Sequence, residues 1–145
     1  MANFIFGASL LIGLVGVKSV YELLLVKYQS TERFFKNAAK ANVNPEGSDS
    51  FGCDITYIDE NNKIQYIEVK SNSDNQNHFF ITYTEYYMTI DKKEDYQIII
   101  VKNTLNNESR EICNIGNIFQ LDGDSDIFNN EKFTANFNTM EIYYK

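Results

Sequence analysis

A chain of 145 residues is the usual size of one domain. Its hydrophobic content of 43% excludes an intrinsically disordered chain and allows a core without disulfide or metal staples. A net charge of −7 argues against a plain nucleic-acid-binding module, because phosphates repel an acidic surface unless positive charge is gathered locally or metal ions intervene.

The chain opens on an uncharged run, Phe4 to Val17, with the sequence FIFGASLLIGLVGV. The run is short of the about 20 apolar residues of a membrane span. Only Met1, Ala2 and Asn3 precede it, so it lacks the basic start of a signal peptide. It reads as a buried helix or strand. The alternatives are a membrane-associated or partner-docking segment and the point where a larger protein was cut. Residues 1–17 are therefore set apart as an apolar segment, and 18–145 read as a single domain.

Lys18 to Gln29 is expected to be a helix, with Val20, Leu23, Leu24 and Lys27 at helical spacing and Glu22 on its flank. A second helix is expected over Thr31 to Ala41, capped by Ser30 or Thr31, with Glu32 near its positive end. Asn44 to Ser48 is loop chemistry. Two strands follow, Gly52 to Ile58 and Ile64 to Lys70, joined by the polar turn Asp59 to Lys63 as a hairpin. After a polar loop, Phe79 to Ile81 is a short strand. Thr82-Tyr83-Thr84-Glu85 then matches a capping box opening a helix to about Glu94. Tyr96 to Val101, YQIIIV, suits the buried centre of a sheet. Glu111 to Ile115, Phe133 to Phe137 and Met140 to Tyr144 are weaker strand candidates. This order gives a mixed α/β (α+β) domain.

Cys53 and Cys113 fit no zinc spacing and no redox motif, which points to a reduced, cytoplasmic chain. Asp122 to Asp126 begins like a calcium loop, but Ile127 and Phe133 occupy the positions that need glycine and glutamate. His78 lies in a polar loop with nothing nearby to make a triad. Tyr83, Tyr86 and Tyr87 are of the type that stacks on bases, although packing of an amphipathic helix explains them as well.

Chemistry concentrates on the hairpin. A turn of three or five residues centred on Asn61 sets Asp54 opposite Glu68. Side chains alternate along each strand, so Asp54, Glu68 and Lys70 then share one face, and Cys53, Ile55, Ile67 and Val69 the other. A two-residue turn would split the carboxylates and mix Ile55 with Glu68. Two carboxylates on one face suit a hard divalent cation. A lysine beside them can orient a water or neutralise charge developing on a phosphate. From spacing alone, a solvated hairpin face with weak cross-strand pairs is the ordinary reading.

Gly52-Cys53-Asp54-Ile55 followed by Ile67-Glu68-Val69-Lys70 resembles the D…(D/E)xK core of the PD-(D/E)XK, restriction-endonuclease-like superfamily. More narrowly, the ordered set resembles the domain found at the C-terminus of the plant protein NO VEIN. The aromatic strand Phe79–Ile81, the helix start Thr82–Glu85 and Val101-Lys102-Asn103 belong to that set, which spans about residues 47 to 103. Cys53 stands where that family usually has an aromatic residue. The resemblance implies a restriction-endonuclease-like core flanked by helices and a Mg²⁺- or Mn²⁺-dependent nuclease. Asp54 and Glu68 match its metal ligands and Lys70 its catalytic lysine. Glu85 matches a recurrent position, and Glu22 is a match by helix order only. DNA or RNA is the implied substrate, in restriction or phage defence. A helicase, ATPase or targeting module and a second copy of the chain are the implied partners. The rival readings are a catalytically inactive module of the same fold that binds nucleic acid or protein, and a membrane-associated interaction protein using residues 4–17.

Overall fold

The computed structural model describes residues 2–28, 52–123, 126–136 and 138–145. The second expected helix, Thr31 to Ala41, and the loop Asn44 to Ser48 lie outside them. Helix α1 covers Ala2–Tyr28. It joins two stretches that the sequence suggested were separate: the apolar run and the helix from Lys18 are one continuous element. Glycine costs a helix only about 1 kcal/mol each and need not end it. Among the described residues, no helix is long and apolar enough to cross a membrane.

Strands β1 (Ile55–Ile58), β2 (Ile64–Ser71), β4 (Tyr96–Lys102) and β5 (Glu111–Gly116) form one sheet in the order β1-β2-β4-β5. Only β2 and β4 run parallel; the outer pairs are antiparallel. Strands β3 (His78–Phe80), β7 (Glu141–Tyr144) and β6 (Phe133–Asn136) form a second, antiparallel sheet in that order. Helix α2 (Tyr83–Lys92) lies between β3 and β4 in the chain and runs into a 3₁₀ turn, Lys93–Asp95.

The larger sheet is buried on both faces, and β4 shows why its sequence is an unbroken apolar run. Tyr96, Ile98 and Ile100 enter a core shared with Phe79, Ile81, Phe119, Phe133 and Ile142. Ile99 and Val101 enter a second core, where Ile55, Ile67 and Val69 meet Val17, Val20 and Leu24 of α1. Full burial of such side chains stabilises by roughly 1.5–3 kcal/mol each. Of the residues at helical spacing in α1, Val20 and Leu24 are buried and Leu23 is exposed.

Helix α1 reaches β2 because Gly16 has no side chain. A Cβ there would stand 2.9 Å from Ser71 Cβ and would also overlap Ser71 Oγ. Overpacking of this kind costs about 1–3 kcal/mol, against about 1 kcal/mol gained by replacing a glycine inside a helix. Gly16→Ala is therefore expected to lower stability by a net ~1 kcal/mol in chemical denaturation. Adding Ser71→Gly should recover part of the loss, and a Gly16→Ala chain more stable than wild type would contradict this packing.

Candidate functional site

The turn between β1 and β2 sets the site. Ile58 pairs with Ile64, so Asp59 to Lys63 form a five-residue connection. Asp59 closes it: its Oδ1 accepts the N–H groups of Asn61 and Lys63, both at 2.9 Å. Asn62 takes the left-handed conformation the turn needs, with φ 63°. With Ile55 facing Ile67, Asp54 comes opposite Glu68, as the odd-length turn predicts.

Regular pairing stops at Ile55, and Asp54 continues it by other means. Its N–H donates to Ile67 C=O at 2.9 Å, and its Oδ2 accepts the N–H of Val69 at 2.9 Å. Before it, Gly52 turns the chain with φ 71°, a conformation costly for any residue with a Cβ, beside Met88 of α2. This turn breaks the side-chain alternation, which corrects one expectation. Cys53 does not join Ile55, Ile67 and Val69 against α1; it packs on the opposite side, with Phe79, Ile81 and Tyr96.

Asp54 and Glu68 are 6% and 7% exposed, so they are not a solvated hairpin face. Lys70 Nζ lies 3.4 Å from Glu68 Oε1 and 2.7 Å from Glu85 Oε1. That same Glu85 oxygen accepts the N–H of Thr82 at 3.0 Å, while Thr82 Oγ1 accepts the N–H of Glu85 at 3.2 Å. Glu85 thus completes the capping box of α2 and holds the site lysine. The sequence signalled the cap and the resemblance offered Glu85 as a candidate additional site residue, but nothing local links it to Lys70. Gly52, Cys53, Asp54, Glu68, Thr82, Thr84 and Glu85 line a cleft of about 250 Å³ at this point. Glu22 takes no part. It sits on the exposed side of α1, 3.9 Å from Lys18, and α1 packs on the other face of the sheet.

Three carboxylates and one ammonium leave an excess of negative charge, and the protonation states follow from it. Burial, then the charge of Asp54, raises Glu68 well above the usual carboxylate range, with Lys70 opposing. Burial also acts against ionised Glu85, but the charge and hydrogen bond of Lys70 outweigh it and hold Glu85 low. Burial disfavours charged Lys70, yet Glu68 and Glu85 keep it protonated to higher pH than an ordinary lysine. Burial and the charges of Glu68 and Asp54 push the Cys53 thiol up to about 12, which makes it a poor nucleophile at neutral pH. Of the two glutamates, Glu68 is thus the one shifted toward its protonated form.

Among the described residues, no group of three or more His, Cys, Asp or Glu side chains forms a ready metal cage. A magnesium ion does not require one, because it commonly takes one or two carboxylates and keeps its waters. Asp54 and Glu68 supply hard oxygen donors beside an open cleft. Burial is the main cause of the raised Glu68 carboxyl and the charge of Asp54 the next, and a cation between the two carboxylates would relieve that second cause. The donor set fits such an ion.

The two glutamates have opposite linkage to pH. Glu68 is raised in the folded chain, so its contribution is complete below the ordinary value of 4.5 and is lost as pH rises toward its own higher value. Glu68→Gln should therefore gain stability over wild type with rising pH across that window, by about 1.4 kcal/mol per pH unit. Glu85 is lowered, so its contribution is present above 4.5 and lost as pH falls through its folded value. Glu85→Gln keeps a residue able to complete the capping box. It should cost about 1–3 kcal/mol at neutral pH, less than breaking a buried pair whose lysine has no other partner. That cost should vanish on acidification. Thermal melts from pH 4 to 8 read both signs, and parallel curves for the two variants would refute the assignment.

A family model described as "Protein NO VEIN, C-terminal" matches residues 21–115, a span that includes Asp54, Glu68, Lys70 and Glu85. No curated protein and no solved structure gave a match. The matched span carries the hairpin, the capped helix and the central strand β4, and the chain belongs to the family of the NO VEIN C-terminal domain.

Proposed function

We propose that this chain is a metal-dependent phosphodiesterase of the PD-(D/E)XK type that cleaves DNA or RNA in the cytoplasm. The observation that carries the reading is the buried Asp54–Glu68 pair at the wall of a cleft, with Lys70 beside Glu68 on the same face of the hairpin. Asp54 and Glu68 would hold Mg²⁺ or Mn²⁺. When bound, such an ion polarises a phosphoryl oxygen and lowers the pKa of its water.

The chain's own groups have distinct tasks in this reading. Lys70 is held as a cation by two carboxylates. It serves as a positive charge for a developing pentacovalent phosphate and not as a base, because a base must first lose its proton. Glu85 fixes where that charge sits. Glu68 must be ionised to act as a ligand, so cation affinity should rise with pH. An acidic chain then gains phosphate affinity through the cation. Restriction or phage defence, alongside a helicase, ATPase or targeting module, is the setting this chemistry suits.

One observation favours the rival, an inactive module of the same fold. Lys70 is engaged at 2.7 Å with Glu85, as a purely structural ion pair would be. Incubation of the full chain with plasmid and single-stranded DNA and RNA, with Mg²⁺ or Mn²⁺, separates the two. Cleavage is expected, and Glu68→Gln or Lys70→Met should lower it by about 10²-fold or more. Cleavage unchanged in both variants would remove these residues from the site. Absence of cleavage, together with no Mn²⁺ binding by calorimetry, would establish the inactive module.

A further inference from the structure

Strand β4 begins with Tyr96, which is 0% exposed. It faces Tyr66 in the parallel β2–β4 register, two residues before Glu68. Side chains on one face of a strand recur every second residue, so Tyr96 lies on the same side of the sheet as Glu68 and Lys70. Its ring packs in the core with Cys53, Ile98 and Ile81. Cys53, of the same core cluster, and Glu68 both line the cleft.

The ring is explained by packing, but the hydroxyl is not. It is buried and has no hydrogen-bond partner among the described residues. Buried hydroxyls without partners are rare, because losing contact with water costs free energy that only a new hydrogen bond returns. Phenylalanine would fill the same space without that cost. The hydroxyl is also within the electrostatic reach of the site: after burial itself, the charges of Glu68 and then Glu85 most strongly oppose its ionisation. It therefore remains a neutral donor, near acceptors that it does not touch directly. A single water spans such a gap when polar partners stand on both sides.

We propose that Tyr96 is a positioning residue for Glu68, its hydroxyl donating to one buried water that in turn hydrogen-bonds the Glu68 carboxyl. The water would tie Glu68 to the rigid centre of the sheet and keep its carboxyl on the side of Asp54. The link to metal binding rests on the function proposed above; the water itself does not. Groups that orient a metal ligand typically change affinity by about 10–100-fold when removed.

Tyr96→Phe deletes the hydroxyl and keeps the ring. The full-length variant is expected to bind Mn²⁺ about 10-fold more weakly by calorimetry and to melt at a lower temperature, because a satisfied hydrogen bond has been lost. Wild-type Mn²⁺ affinity in the variant, or a higher melting temperature, would overturn the proposal, since an orphan hydroxyl is better removed. If the wild-type chain binds no Mn²⁺, the metal reading fails by itself. The melting temperature then decides alone: a lower value supports the water, and an equal or higher one refutes it. Should the variant fail to fold, a high-resolution crystal structure of the wild type decides. A water within hydrogen-bond distance of Tyr96 Oη and a Glu68 carboxyl oxygen supports the proposal, and its absence overturns it.

Discussion

The carboxylate of Asp59 closes the five-residue turn between β1 and β2, and the parity of that turn governs the rest of the structure. With an odd number of residues in the turn, Ile55 meets Ile67 and the two carboxylates come opposite each other. One residue fewer or more would send every side chain of one strand to the opposite face relative to its partner. Ile67 and Val69 would no longer match the apolar surface of α1, and Glu68 would be forced against Val17 and Val20. The hydrophobic requirement of α1 and the chemistry of the opposite face are therefore satisfied by one register. The apolar contacts supply the free energy that holds it.

Burying three carboxylates around one lysine is costly, and the structure offsets the cost with specific partners. Desolvation of each charge costs several kcal/mol unless hydrogen bonds and opposite charge replace water. Asp54 receives a backbone N–H from Val69, and Glu85 receives both Lys70 and the N–H of Thr82. Glu68 has the longer contact to Lys70 and shares a side-chain hydrogen bond with Glu85 that favours its protonated form, and it is the group whose carboxyl is pushed up. The poorly compensated member of the cluster is also the one opposite Asp54. Natural cores avoid such a residue when stability alone is at stake. Its presence beside an open cleft is the physical reason to connect the site with a cation. Glu85 adds a mechanical link, since the oxygen that holds Lys70 also caps α2, so helix and sheet are fixed to each other at the site.

Much of this was legible because it depends on short-range rules. The alternation of Ile55, Ile67 and Val69 against Asp54, Glu68 and Lys70 revealed the register, and Thr82 and Glu85 revealed the cap. The continuous apolar run of β4 revealed a strand buried on both faces. What was hidden depends on contacts distant in sequence. The resemblance offered Glu85 as a candidate site residue, but nothing near Lys70 announces the ion pair between them, and Tyr96 reads as one more core aromatic. The expected face of Cys53 was wrong because Gly52 takes a positive φ and interrupts the alternation before the strand begins. The break expected at Lys18 was wrong as well. A change from apolar to amphipathic sequence marks a change in surroundings and not the end of a helix, and α1 passes through both. Membership of β3, β6 and β7 in a separate sheet has no local signature at all.

Strand β2 unites these points. Along Ile67 to Ser71, alternate residues do unrelated work: Ile67, Val69 and Ser71 meet α1, while Glu68 and Lys70 face α2. The strand is also the junction of the sheet, antiparallel to β1 and parallel to β4. Its backbone is paired with β1 over Ile64 to Ile67 and with β4 over Tyr66 to Ser71, and where β1 falls short the Asp54 side chain takes over at Val69. A strand restrained on two edges and two faces cannot shift its carboxylate without disturbing both cores. That rigidity is what preorganised electrostatics requires, because dipoles and charges held in place need no rearrangement when a charged ligand arrives. Reading the family resemblance as chemistry is therefore a claim about β2 first, and about the motif it carries second.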